Sequence, residues 1–318
     1  MTFKLGRLPE DTSKPRLTLA PHLRATAPPP VSADWYSRVQ AWGMLANDSW
    51  GDCVFAGNGH IIEQQTALGE GDEIIVTDQE ALLEYSLVTG FDPNAGPPGE
   101  NPTDQGALIQ DGLADLRKNG LAGQKIAAFA RVNQADMGEV KTALAELGAV
   151  SFGVNLPQSA MDQFNAGQPW SVVSDDGGIL GGHCVTGFGY DDGSVYLVSW
   201  GRVVPTTWDW LVKYCDEAWA VVSSMWAGEN GKDPAGVDLA GLGAEFAALT
   251  GDPSPFPAPQ PPQPTPPAPP QPTPPQPTPP APQPPGPGPD PAVLLEQLAA
   301  LIRKTANAAL QWLEAHHL

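Results

Sequence analysis

Residues 253 to 291, PSPFPAPQPPQPTPPAPPQPTPPQPTPPAPQPPGPGPDP, hold most of the chain's 37 prolines and confine the fold to what lies before them. Proline lacks a backbone N–H and has a locked φ, so this tract can enter neither a helix interior nor a sheet centre. It reads as an extended polyproline II spacer, rising about 3.1 Å per residue and reaching on the order of 100 Å. Its QPTPP and APP units are compositional repeats, and no Arg or Lys flanks them as a ligand for proline-reading domains would require.

Beyond the spacer, residues 292–318 return to helical periodicity, with Leu294, Leu298, Leu301, Thr305, Ala308 and Trp312 spaced four and three apart. One apolar stripe on a lone helix has no core of its own. It is expected to self-associate or to dock on another protein. A lipid-surface helix would carry more cations than Arg303 and Lys304. His316 and His317 read as a frayed terminus, not as metal ligands.

The formal net charge of -20 sets the chain against nucleic acid and anionic lipid, and leaves either basic partners and basic substrates or an acidic surface that serves solubility alone. No stretch approaches the roughly 20 apolar residues of a membrane span, and MTFKLGRLPEDTSKPRL carries no apolar export core. A soluble chain follows as the expectation; its location is left open, with cytoplasmic and virion-associated as the candidates. The Ala, Gly and Pro bias suggests an actinobacterium or its phage. Cys53, Cys184 and Cys215 form neither a disulfide framework nor a metal-ligand spacing, so free thiols, no metal and no cofactor are expected.

Upstream of the spacer the pattern runs from helices to strands. Helices are expected after Cys53, over 77–88, over 106–119 and over 137–147, with strands over 125–132 and 149–155. HCVTGFGYDDGSVYLVSWG then reads as a hairpin turning at Asp191, Asp192 and Gly193, followed by the strand EAWAVVSSMW. This is the α+β class. Residues 226–252 form a connector with a short helix at most.

Cys53 sits in NDSWGDCVFAGNGHIIEQQ, where a Gly-Asp-Cys turn runs into the first helix. The positive end of the helix dipole favours thiolate there, which is how a nucleophile is made. A nucleophile needs a base. His60 lies seven residues on, about 10 Å along the axis at 1.5 Å per residue, and is out of reach. His22 lies in a proline-bounded arm. His183, after GGILGG at the start of a strand, is either the base or a satisfied core histidine.

Asp34 and Trp35 precede the nucleophile, Asn47 stands six residues before it, and Gly51-Asp52-Cys53 leads into the helix. These ordered motifs resemble the papain-like cysteine peptidases, in a divergent bacterial or phage-type member, whose opening D-W and G-x-C they share and whose glutamine position Asn47 takes. TDQGALIQDGL looks like the glycine-rich loop and following helix. Phe164 and Gly167 resemble F-x-x-G, and HCVTGFGY with VSWG resembles the histidine strand and the N-S-W-G run. The resemblance covers about residues 31–223 of a domain set at 31–225, preceded by an N-terminal arm at 1–30 and followed by the connector, the spacer 253–291 and the helix 292–318.

The resemblance implies a papain-like fold and a thiol hydrolase of peptide or isopeptide bonds. Cys53 would be the nucleophile, stored as thiolate, and His183 its base. Asn47 would donate to the oxyanion beside the Cys53 N–H, or would only cap its turn. Trp200 would shield the pair, and Cys184 would line a substrate pocket or serve as a small buried apolar residue. Cys215 reads as structural.

Three departures accompany it. Val198 aligns with the asparagine that orients the imidazole and accepts nothing. Ser199 can serve only if the strand lies one residue out of that alignment. Trp50 replaces a disulfide cysteine. The 1–30 arm is too short and proline-rich for a helical inhibitory propeptide, so it is expected to pack along the domain without silencing the enzyme in the family's way. The competing reading is a weak or inactive papain-fold protein with a binding or structural role. A transglutaminase-type acyl transfer shares the Cys-before-His order, but not the Asp34-Trp35 and Ser199-Trp200-Gly201 signatures.

Overall fold

The computed structural model describes residues 3–24, 28–69, 72–223 and 236–256. The chain divides into two units, Met1–Pro261 and Pro262–Leu318, and every described residue belongs to the first. The spacer from residue 257 onward and the helix expected over 292–318, with its self-association or docking, lie outside the described residues.

Helix α1 (Cys53–Leu68) is buried at every position from Cys53 to Gln65. A helix enclosed all round forms the centre of its half of the molecule. Against it lie α2 (Asp78–Thr89) and α3 (Ile109–Lys118). The Thr77 side chain accepts from the Glu80 N–H while the Glu80 carboxylate accepts from the Thr77 N–H, and this capping box starts α2. Downstream, α4 (Met137–Leu147) is capped by Asp136 and closed by Gly148. Three further helices follow: α5 (Gln158–Asn165), α6 (Trp208–Tyr214) and α7 (Leu239–Thr250).

The second half is an antiparallel sheet of β1 (Ala33–Asp34), β2 (Ile126–Arg131), β3 (Ala149–Pro157), β4 (Ile179–Tyr190), β5 (Ser194–Ser199), β6 (Arg202–Thr207) and β7 (Cys215–Ser223). Its spatial order is β2-β7-β3-β4-β5-β6, with β1 pairing β4. The period of two along each strand divides the molecule into two cores. From β7, Trp219 and Val221 join the cluster around α1, while Ala218, Ala220 and Val222 join the cluster on the other face. From β4, Cys184 and Phe188 face α1 and Val185 and Tyr190 face away.

The connector does more than end the domain. Leu239, Leu242 and Phe246 of α7 are buried in the outer-face cluster beside Leu17 and Leu19 of the N-terminal arm. The His22 Nε2 lies 2.6 Å from Glu245 Oε2, which ties arm and connector together. Among the described residues no helix is long and apolar enough to cross a membrane. All three cysteines are free and buried.

Candidate active site

Cys53 opens α1, so the turn before it decides where its thiol lies. Leu45 and Ala46 take left-handed backbone angles, φ 55° and 65°. Asn47 then braces the turn, its Nδ2 donating to the Trp50 carbonyl oxygen at 3.1 Å and to Asp52 Oδ1 at 3.0 Å. Both amide hydrogens are engaged. The Gly51 N–H donates to Asp104 Oδ1 at 2.9 Å, and the Tyr85 hydroxyl reaches the same oxygen at 2.8 Å. Asp52 is fully buried at the N-cap, and burial pushes its carboxyl well above the usual range.

The facing strand is β4. The Cys184 N–H donates to Cys53 Sγ at 3.4 Å. The Cys184 sulfur turns toward α1, 3.6 Å from where a Cβ on Gly57 would stand. The contribution of Cys184 beside the thiol is therefore its backbone N–H, and its side chain belongs to the core and not to a pocket wall.

Alternation sends His183 to the face opposite Cys184, and on β5 it sends Ser199 to the face opposite Val198. Val198 packs in the α1 cluster. Ser199 thus meets the imidazole, with Oγ 2.8 Å from His183 Nε2. The ring stacks on Trp200 at 4.3 Å and 15° between planes. Nδ1 is buried with no hydrogen-bond partner among the described residues. His60, by contrast, has its Nε2 2.9 Å from the Gly43 carbonyl oxygen, and burial lowers it to about 4.

The electrostatics of the pair differ from the sequence expectation. Burial pushes the Cys53 thiol up to about 11, with the neighbouring Asp52 adding to the rise. Burial and then the positive charge of Arg7 push His183 down to about 3. Both groups are neutral near pH 7, because desolvation outweighs the helix dipole.

What buries them is the chain's own N-terminus. Residues 3–8 cross the site as an extended strap. The Ala107 N–H donates to the Gly6 carbonyl oxygen at 2.8 Å, the Leu8 N–H to the Ala107 carbonyl oxygen at 2.9 Å, and the Arg7 N–H to the Gly182 carbonyl oxygen at 3.1 Å. The Gly6 N–H points to the Cys53 sulfur. Phe3 stacks on Trp200 at 4.8 Å, and Lys4 Nζ lies 3.4 Å from buried Asp104 Oδ2. Glycines make the passage possible: a Cβ on Gly106, at φ 75°, would stand 2.0 Å from the Gly6 oxygen, and one on Gly182 2.2 Å from the Arg7 oxygen. The arm was expected to lie along the domain, and its first residues instead cover Cys53 and His183, each 1% exposed.

Sequence reasoning missed Gly6, Arg7 and Glu217. The signal for Glu217 was a carboxylate at the head of the apolar run AWAVV.

No family model matches the chain, and no curated protein matches it. Solved structures do. Xylellain, a cysteine protease from Xylella fastidiosa, matches with a TM-score of 0.56 and 18% identity, covering 70% of this chain and 98% of that one. A Carica candamarcensis cysteine protease matches with a TM-score of 0.45 and 14% identity, over 61% of this chain and 99% of that one. Procathepsin L 3 of the Tenebrio molitor larval midgut matches with a TM-score of 0.46 and 15% identity, over 65% and 76%. The chain has the papain-like cysteine protease fold.

Proposed function

We propose that the protein is a cysteine-type peptidase acting on peptide or isopeptide bonds through Cys53 and His183, seen here with its cleft covered. The observation that carries this reading is the imidazole of His183, held at Nε2 by Ser199 and free at Nδ1, one residue from the N–H that touches the Cys53 sulfur.

With its hydrogen on Nε2, His183 donates to Ser199 Oγ and leaves the Nδ1 lone pair for the thiol proton. Cys53 Sγ then attacks the carbonyl carbon, and the imidazolium returns the proton to the leaving amine. Water, deprotonated by the same Nδ1, releases the acyl group. The N–H of Cys53, first in its helix and without an intrahelical partner, is one oxyanion donor. Asn47 becomes the second by exchanging its bond to Asp52 for the oxyanion. Trp200 keeps the ring in plane and sheltered from water.

The strap's orientation supports a covered enzyme and not a cleaved substrate. It offers the sulfur an N–H, where attack needs a carbonyl carbon. The same cover favours the second reading, a papain-fold binding module without turnover. The two separate in one experiment. The full-length Gly6→Ala chain is incubated with an unfolded protein, and new N-termini are counted by mass spectrometry. The peptidase reading expects new termini that vanish in Cys53→Ala and in His183→Ala. Rapid alkylation of Cys53 in Gly6→Ala with no new termini overturns it.

A further inference from the structure

Arg7 enters the covered cleft with its side chain 1% exposed. Its guanidinium faces three acceptors: Nη1 lies 3.3 Å from Glu217 Oε2, and Nη2 lies 2.9 Å from Asp216 Oδ1 and 3.4 Å from Asn155 Oδ1. Glu217 is itself 1% exposed. The slot opens beside the reacting groups, because the same Arg7 donates its N–H to the carbonyl oxygen of the residue preceding His183.

Two features make this a built slot and not a chance ion pair. Its acceptors are held by groups other than Arg7: Trp219 Nε1 donates to Glu217 Oε1 at 2.7 Å, and Asn155 Nδ2 donates to Asp216 Oδ2 at 2.8 Å. These bonds do not pass through Arg7, so the acceptors are expected to keep their places when the strap leaves. One wall is bare backbone, since Gly153 pairs with Glu217 across β3 and β7, and a Cβ there would stand 2.9 Å from Glu217 Oε2 and 3.2 Å from Arg7 Cζ. A buried carboxylate without a cation is unfavourable. An emptied slot therefore selects for positive charge, and acceptors that meet Nη1 and Nη2 separately fit the forked guanidinium better than an ammonium.

We propose that the Glu217 slot is a substrate subsite for a basic side chain, arginine before lysine, and that Arg7 fills it in cis. The word substrate rests on the peptidase reading, while the slot itself is tested by binding. The probes are fluorescein-labelled hexapeptides Phe-Lys-Leu-Gly-Xaa-Leu with arginine, lysine, citrulline or norleucine at Xaa. They are titrated by fluorescence polarisation into the full-length chain carrying Cys53→Ala and Arg7→Ala, which cannot turn them over.

The arginine peptide is expected to bind at least about tenfold tighter than citrulline, its uncharged isostere, with lysine between them. Glu217→Gln, which keeps the acceptor for Trp219, is expected to reduce that difference to about threefold or less. Equal binding of arginine and norleucine peptides, an arginine preference that survives Glu217→Gln, or no binding by any peptide overturns the proposal. Where Arg7→Ala does not fold, Gly6→Ala releases the strap by its backbone and is read with the same peptides. Arginine-selective binding without cleavage by the Cys53-bearing chain overturns only the peptidase reading. Cleavage without arginine selectivity overturns only the slot.

Discussion

The backbones of Gly6 and Gly51 pass so closely that a Cβ on Gly6 would lie 1.8 Å from the Gly51 carbonyl oxygen. The strap therefore tolerates no side chain at the point where it crosses the Cys53 turn. Gly6→Ala should shift the chain toward an open cleft. Overpacking of this kind costs about 1–3 kcal/mol, a roughly 5- to 150-fold shift toward the open cleft. Alkylation of Cys53, mapped by mass spectrometry against Cys215 as internal reference, should accelerate by that order. Equal rates in Gly6→Ala and the unaltered chain would remove the strap as the cover.

Ser199 and Val198 separate orientation from packing. Ser199→Ala leaves the imidazole without its Nε2 partner, and one such bond is worth about 1–2 kcal/mol. In the Gly6→Ala background kcat should fall about 5- to 30-fold with KM little changed. Val198→Asn restores the residue type that the alignment asks for, yet it buries an amide in the α1 cluster. Its outcome should be lost stability, a lower Tm and no gain in kcat. A rise in kcat for Val198→Asn would mean that β5 can shift register.

The elements legible in the sequence were those with local signals. Helix α4 begins and ends at the expected residues because Asp136 caps it and Gly148 supplies the left-handed close. The turn at Asp191–Gly193 announced the β4–β5 hairpin. Short α5 and α6 passed unnoticed, being too brief to display a period. The choice between Val198 and Ser199 depends on which face His183 takes, and that is decided by pairing across strands. The strap was illegible for a related reason. FKLGRL has no apolar period, and its partners Gly51, Ala107 and Gly182 are backbone groups far along the chain, which leave no trace in residue type.

The cover is expected to keep thiol and imidazole neutral, and this is testable by pH. In the covered state Cys53 sits at about 11, first through burial, and His183 at about 3, first through burial and then through Arg7. Alkylation of the unaltered chain should keep rising with pH toward 11 without a plateau near neutrality. Opening the strap returns water to both groups and lets the helix dipole and an imidazolium favour thiolate. The Gly6→Ala profile should then shift to lower pH and level off within the neutral range. Coincident profiles would show that the surrounding core, not the strap, sets the thiol.

Two carboxyls behind the site make stability fall as pH rises from 4.5 to about 8. Burial raises Glu84 and Glu63 from 4.5 to about 8 each. The folded chain holds these protons while the unfolded chain releases them, so their favourable contribution is complete below pH 4.5 and is lost as pH climbs through 8. His60 acts in the opposite direction. Held near 4, it withdraws stability as pH falls from 6.5 toward 4, so the comparison must be made between variants at each pH. Glu84→Gln keeps an oxygen for Asn58 Nδ2, now 2.9 Å from Glu84 Oε1, and removes the titration. Its Tm relative to the unaltered chain should rise between pH 5 and pH 9 by at least about 4 °C. A difference that is flat across that range would mean that Glu84 is already ionised in the fold, with a cation or water beside the unpartnered Oε2.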